Sequence, residues 1–296
     1  MDPNKSEQPN STPEPSAVIL GHCPDRKGIN SAITHFISEH NGNIIDYVQH
    51  VDSEQGVFFV RIEWELKGFA LPREEIEAAF KPIANRFAMT WNLHFSEAVP
   101  RMAIFVSRQT HCLYDLLARQ QSGEWRVDIP LVIGNHPEVE TVVRPFGIDY
   151  RHIPMTPETR VQAEQEQLAL LEQNRIDFVV LARYMQVVSP EFIAHFPNRI
   201  INIHHSFLPA FVGAKPYHAA HARGVKIVGA TSHYVTNELD QGPIIDQDVI
   251  RVSHKDAVED LVRKGKDLEK IVLARAIWSH LNRQILVYNN KTVIFE

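Results

Sequence analysis

Cysteine is almost missing from this chain of 296 residues: Cys23 and Cys112 are the only two. So small a supply argues against a disulfide framework and fits a reducing cytosol. Long apolar runs are missing as well. None approaches the roughly 20 residues that cross a bilayer, and the N-terminal stretch lacks the apolar core of a signal peptide. There is no basic surplus: 30 Lys and Arg stand against 36 Asp and Glu, a net charge of −6, and the basic residues are scattered. Nucleic acid is thereby disfavoured as a partner. No His-Glu-x-x-His motif occurs. A soluble cytoplasmic protein without membrane or nucleic-acid partners is expected, and a hydrophobic share of 44% is enough for an ordinary core.

What is present changes character along the chain. Met1 to Ser16 is rich in Pro, Ser, Asn and Glu and reads as a disordered tail (1–16). Ala17–Leu20 reads as a strand, and Ile29, Ile33, Phe36 and Ile37 follow at helical spacing up to Asn41-Gly42. A strand around Asn43–Val51 comes next. In Val57–Leu66, apolar residues then alternate with Phe59, Arg61, Glu63 and Glu65, which predicts a half-exposed strand. Pro72 opens a helix, and Met89, Trp91, Leu93 and Phe95 alternate as a fourth strand. The order βαββαβ over 17–96 is the ferredoxin-like split βαβ.

Residues 97–100 read as a linker, and 101–296 as a second domain. There, apolar strands (Met102–Val106, Leu131–Ile133, Asp177–Ala182, Ile200–His204) are separated by helices, one of them over Val161–Gln173. That pattern predicts a mainly parallel, Rossmann-like α/β sheet covered on both faces. Lys226–Val235 and Ile244–Val252 read as strands, Asp256–Arg283 as a long amphipathic helix, and Gln284–Tyr288 with Thr292–Phe295 as a terminal hairpin.

The chemistry concentrates in Asn202-Ile-His-His-Ser-Phe-Leu-Pro209 and in Glu238-Leu-Asp-Gln-Gly-Pro243. On a strand, residues two apart share a face, so Asn202 and His204 stand side by side where ligands collect in open α/β sheets. An amide can polarise a carbonyl, an imidazole can move a proton, and Asp240 can orient the imidazole. These segments strongly resemble the folate-dependent formyltransferase family, whose hydrolase and transferase members share an Asn-x-His…Asp triad. The matching positions are Asn202, His204 and Asp240, with Ser206 and Leu208-Pro209 behind the first two. The resemblance covers roughly 101–296. It implies 10-formyltetrahydrofolate as substrate rather than as a resident cofactor; none is expected. It also implies that Leu181-Ala-Arg-Tyr-Met-Gln-Val-Val-Ser-Pro190 is a pteridine-binding loop, with Leu181, Met185, Val187 and Ile200 lining an apolar slot. His233 and Ser206 are candidates for support behind the triad.

Relatives that use a ribonucleotide amine carry a Gly-rich phosphate loop after the first strand. Here Ser107-Arg-Gln-Thr-His-Cys-Leu113 has no glycine, which leaves water as the formyl acceptor. Asn135-His136 and His152-Ile-Pro154 match the hydrolytic members too. The N-terminal module resembles an ACT domain. That resemblance implies an amino-acid effector (glycine or methionine) near Asp25, Arg26 and Gly28, and pairing of such modules into a homo-oligomer. The family mechanism gives Asn202 and protonated His204 as donors to the formyl oxygen. Asp240 positions the water and accepts its proton directly or through His204. The products are tetrahydrofolate and formate, the latter feeding purine synthesis and balancing the one-carbon pool.

Three rival readings remain at this point. One is transfer to an amine acceptor of the glycinamide ribonucleotide type, and another is a non-catalytic folate and amino-acid binder. The third is a metal hydrolase built on His204, His205, His218, His221 and His233. Because no Asp or Glu stands at a familiar ligand spacing to those histidines, no metal is expected. Cys112 is expected to be buried or pocket-lining rather than nucleophilic.

Overall fold

A computed structural model describes residues 14–210 and 216–296, and the chain divides into two compact units, 1–98 with 295–296 and 99–294. Of the expected disordered tail, residues 1–13 lie outside the described residues. Ser16 is already part of the first strand: it is buried, its N–H donates to Ser96 Oγ at 2.8 Å and its hydroxyl to Glu63 at 2.6 Å.

The first unit runs β1 (Ser16–Pro24), α1 (Ile29–Glu39), β2 (Ile44–Asp52), β3 (Val57–Glu65), α2 (Arg73–Phe87) and β4 (Thr90–Phe95). Its four strands form an antiparallel sheet of order β2-β3-β1-β4, the ferredoxin-like arrangement. Ile29, Ile33, Phe36 and Ile37 form the buried stripe of α1, and Ile76, Phe80, Ala84 and Phe87 that of α2. Both stripes meet Ile19, Val60, Ile62 and Trp64 in one core. Asn41 in the left-handed region ends α1, with the Gly42 N–H returning to the Ile37 carbonyl at 2.8 Å.

The half-exposed reading of β3 is corrected, because its second face is buried too. Phe59 lies between His22 of β1 and His50 of β2, and Arg61 pairs with Asp46 and Glu63. In a central strand, cross-strand neighbours cover what alternation alone assigns to solvent.

The second unit continues with β5 (Arg101–Val106), α3 (His111–Gln121), β6 (Asp128–Gly134), α4 (Glu140–Val143), β7 (Asp149–His152), α5 (Arg160–Gln173) and β8 (Phe178–Leu181). Then follow α6 (Pro190–His195), β9 (Ile200–His204), α7 (Pro216–Arg223), β10 (Ile227–Tyr234), β11 (Ile244–Arg251), α8 (Val258–Leu281) and the hairpin β12 (Ile285–Tyr288) and β13 (Lys291–Ile294). Seven strands make one sheet of order β11-β10-β9-β8-β5-β6-β7; β7 to β9 are parallel, and β10 and β11 join antiparallel. Alternate residues serve opposite faces. Met102, Ile104, Phe178 and Val180 pack with α3 and α8, while Ala103, Phe105, Val179 and Leu181 pack on the other side with α5 and α6.

After β7 the chain crosses back to β8, on the far side of β5 from β6. The loops that follow β5, β8 and β9 therefore open into one crevice at the carboxyl edge of the sheet. The strand β7, absent from the sequence reading, is a four-residue edge strand of Asp, Tyr, Arg and His. An edge needs no apolar alternation to pair.

Candidate active site

Strand β9 ends in Asn202-Ile203-His204 and pairs with β10, so that His233 lies opposite Asn202 and Thr231 opposite His204. Asn202, His204 and His233 thus come to one place from two neighbouring strands. The His233 Nδ1–H donates to the Tyr234 carbonyl at 2.9 Å, and this makes Nε2 an acceptor for the Asn202 amide at 3.2 Å. One N–H of Asn202 is so fixed, and the other has no partner among the described residues.

Asp240 arrives from the turn after β10. The Gln241 N–H bonds to the Glu238 carbonyl at 3.2 Å and the Tyr234 N–H to the Pro243 carbonyl at 2.9 Å, folding this segment back on the strand end. Asp240 itself adopts φ 55, a conformation uncommon outside glycine. Its Oδ2 stands 3.3 Å from His204 Nδ1 and its Oδ1 3.6 Å from His233 Nε2. The His204 imidazole holds the Asp240 carboxyl well below the usual carboxylate range, against the opposing pull of burial.

With Nδ1 turned to Asp240, the other nitrogen of His204 remains. Nε2 is buried and has no hydrogen-bond partner among the described residues. Ser206 Oγ is likewise buried without a partner, although the Ser206 carbonyl accepts from Thr231 Oγ1 at 2.9 Å.

The triad borders a cavity of about 320 Å³. Leu181, Met185, Val187, Val188, Val235 and Leu239 supply its apolar wall, and Asn202, His204, His233 and Asp240 its polar end. Of the four residues expected in the apolar slot, Leu181, Met185 and Val187 are there. Ile200 is the correction: it is fully buried in the core with Val179 and Phe196 and does not line the cavity. Its neighbour Val235, whose N–H bonds to the Ile200 carbonyl at 2.9 Å, lines the cavity at that level instead. Val188, Val235 and Leu239 were not singled out from sequence, although they fall within the matched segments.

A second polar group, also not anticipated, adjoins the cavity. Glu269 of α8 is 1% exposed, yet it meets His111 Nε2 at 2.8 Å, accepts from Tyr217 OH at 2.8 Å and faces Arg183 Nε at 3.5 Å. Burial opposes its ionisation, but the bond from His111 and the Arg183 charge hold it below its ordinary value. Arg183 also donates through Nη2 and Nε to Gln109 Oε1 at 3.0 and 3.2 Å. His205 packs against His204 with ring centroids 5.0 Å apart. Burial, with the neighbouring Arg183 and His204, pushes its pKa down to about 4.

His111, Cys112 and Glu269 place ligand-type atoms within 4.8 Å of one another. The Arg183 guanidinium and the Tyr217 hydroxyl already engage that carboxylate, and Cys112 is fully buried. His218 and His221, the helix pair of the metal reading, are exposed. In the first unit, Asp25, Arg26 and Gly28 lie on the exposed β1–α1 loop. Gly28 there takes φ 93 and caps α1.

Comparison with known proteins agrees with this geometry. Residues 100–277 match the protein-family model described as formyl transferase. A formyltetrahydrofolate deformylase of Synechocystis sp. is 54% identical over 280 residues, 95% of this chain and 98% of that protein. The crystal structure of a formyltetrahydrofolate deformylase from Pseudomonas syringae superposes with a TM-score of 0.93 at 45% identity, covering 96% of this chain and 95% of that one. A glycinamide ribonucleotide transformylase from Symbiobacterium toebii reaches a TM-score of 0.64 at 31% identity over 69% of this chain and 98% of that one. Likeness over nearly the whole length, first unit included, falls to the hydrolytic branch, and the chain belongs to the formyltetrahydrofolate deformylase family.

Proposed function

We propose that this chain hydrolyses 10-formyltetrahydrofolate, with water as the formyl acceptor, to tetrahydrofolate and formate. One observation carries the reading: His204 Nε2 is buried at the cavity, without a partner among the described residues, beside an amide with a free N–H. Leaving such an atom unpaired costs about 1–3 kcal/mol, which makes sense where substrate is its partner. A slot of about 320 Å³ with apolar walls suits a flat pteridine ring.

In this mechanism the Asn202 N–H donates to the formyl oxygen as negative charge grows there. The water oxygen bonds to the formyl carbon while one of its protons passes to His204. Asp240 Oδ2 is turned to His204 Nδ1, and Nε2 of the same ring is left without a partner among the described residues, so the route through the imidazole is favoured over direct transfer. Asp240 then balances the imidazolium. That imidazolium returns the proton to the leaving nitrogen, the C–N bond breaks, and formic acid departs as formate, losing its last proton to solvent.

Water as acceptor is supported by the glycine-free loop after β5. Ser107 Oγ accepts the Met185 N–H, Gln109 holds Arg183, and His111 holds Glu269, so these three polar side chains of the loop are engaged with the protein itself. No resident cofactor or metal enters the scheme. The ferredoxin-like unit serves in this reading as an ACT-type amino-acid sensor, with glycine or methionine at the Asp25–Gly28 loop, in a cytoplasmic homo-oligomer whose formate feeds purine synthesis.

Formate measured from 10-formyltetrahydrofolate without any amine tests the reaction. Equimolar formate and tetrahydrofolate are expected. Release that requires added glycinamide ribonucleotide would make the chain a transferase, and tight folate binding without release would make it a binder.

A further inference from the structure

The loop between β8 and α6 presents Met185 and Val187 to the cavity with about half of each side chain exposed, 55% and 51%. Apolar side chains so placed are not held by the core beneath them. The backbone that carries them is nevertheless tied down from α5, a helix some twenty residues earlier. Gln167, fully buried, donates from Nε2 to Tyr184 OH at 3.0 Å. Glu164, 7% exposed, accepts the Ser189 N–H at 2.9 Å. Arg160 donates to the Val187 carbonyl through Nη2 and keeps Nε 3.6 Å from the Glu164 carboxylate. From β5, Ser107 Oγ accepts the Met185 N–H at 3.0 Å.

Positions 160, 164 and 167 recur at helical spacing and therefore form one stripe of α5. A helix that only covered the sheet would carry apolar residues at buried positions such as 164 and 167. A buried carboxylate and a buried amide are the costlier choice. The amide is not even fully satisfied, since Gln167 Oε1 is buried with no partner among the described residues. What these polar groups obtain is a loop held at the Tyr184 side chain and at the backbone of Val187 and Ser189. Ser189, held by Glu164 at its N–H, in turn caps α6 by accepting the Phe192 N–H at 3.1 Å.

We propose that Arg160, Glu164 and Gln167 are positioning residues that pre-form the loop 184–189 as the cradle for the pteridine half of the substrate. This rests on the folate reading of the cavity. Their effect is on binding: a loop ordered before the substrate arrives spares the complex the cost of ordering it, while the triad is untouched.

Glu164→Ala in the full-length chain tests this. If the freed loop holds its binding geometry a tenth of the time, KM for 10-formyltetrahydrofolate rises about tenfold, with kcat within about twofold. Tetrahydrofolate affinity by titration calorimetry should fall in the same ratio. Glu164→Gln, which keeps an acceptor for the Ser189 N–H, should recover most of the loss. Gln167→Met fills the same space without the bond to Tyr184; it should move KM in the same direction and decides the matter if Glu164→Ala fails to fold. Unchanged KM and folate affinity in folded variants, or a fall in kcat alone, would overturn the proposal. Should the unaltered chain bind no tetrahydrofolate, the folate reading itself falls instead.

Discussion

Asp240 keeps its charge in a place where burial works against it, and the reason is the imidazole that it faces 3.3 Å away. At the residue scale the site is a division of labour between two nitrogens of one ring, Nδ1 fixed by a carboxylate and Nε2 left for substrate. Removing one oxyanion donor typically lowers turnover about a hundredfold to a thousandfold, and removing a general base about a hundredfold to ten-thousandfold. Asn202→Ala and His204→Ala should fall in those ranges, and Asp240→Asn, which releases the ring, should as well; steady-state formate release checks all three. His205 offers a pH test of a different kind. Its folded pKa of about 4 lies below the ordinary value of 6.5, so below 6.5 the unfolded chain binds a proton that the folded chain refuses. Stability should therefore fall as pH drops from 6.5 to about 4, by no more than about 1.4 kcal/mol per pH unit from this group. His205→Asn should flatten that slope in urea unfolding curves, and an equal slope in both chains would remove His205 as its source. The Asn202–His204 pair was legible in sequence because strand spacing puts the two side by side, whereas Asp240 came from the family resemblance. The ring of Arg183, Glu269, His111 and Tyr217 was not, since no sequence pattern joins residues 158 positions apart through one buried carboxylate.

Elements decide how these side chains meet. The turn from Val235 to Pro243 returns Asp240 to the site only because Gly242 lets the chain pass against the end of β10. A Cβ at Gly242 would sit 1.7 Å from the Tyr234 carbonyl oxygen. Gly242→Ala should therefore displace the turn and, with it, Asp240, lowering turnover at least as much as Asp240→Asn while also lowering Tm; a fully active variant would mean that the turn is not what places the carboxylate. On α8, a Cβ at Gly265 would lie 2.1 Å from the Tyr217 hydroxyl, so the helix carrying Glu269 needs this glycine to meet α7. Element order and most strand positions could be read from periodicity. Ile200 could not: its apolar character on β9 fits core and cavity equally, and only the residues packed around it distinguish them. The polar edge strand β7 carried no periodic signal, and β3 hid its second buried face behind Phe59 and Arg61.

At the scale of the molecule, two units with their own cores share one chain, and likeness to deformylases runs through both. If the first unit senses an amino acid, glycine or methionine added to the full-length protein should shift the saturation curve for 10-formyltetrahydrofolate; superimposable curves across millimolar effector would leave that unit a structural role. Exhaustive chelation should leave formate release unchanged, because of the histidines in a metal reading His218 and His221 are exposed, His204 and His233 are committed to Asp240 and Asn202, and His205 is buried against His204. The amino-acid sequence by itself determined the βαββαβ order, the mainly parallel second sheet, the Asn202-x-His204 pair and the loss of glycine after β5. Each of these rests on local spacing, which strand and helix periods convert directly into faces and turns. Tertiary structure alone decided that Nε2 of His204 is the nitrogen left open, that Ile200 belongs to the core, and that α5 holds the loop over the cavity. Those outcomes depend on which distant residues are folded against one another, and burial then sets the charge and the cost of each.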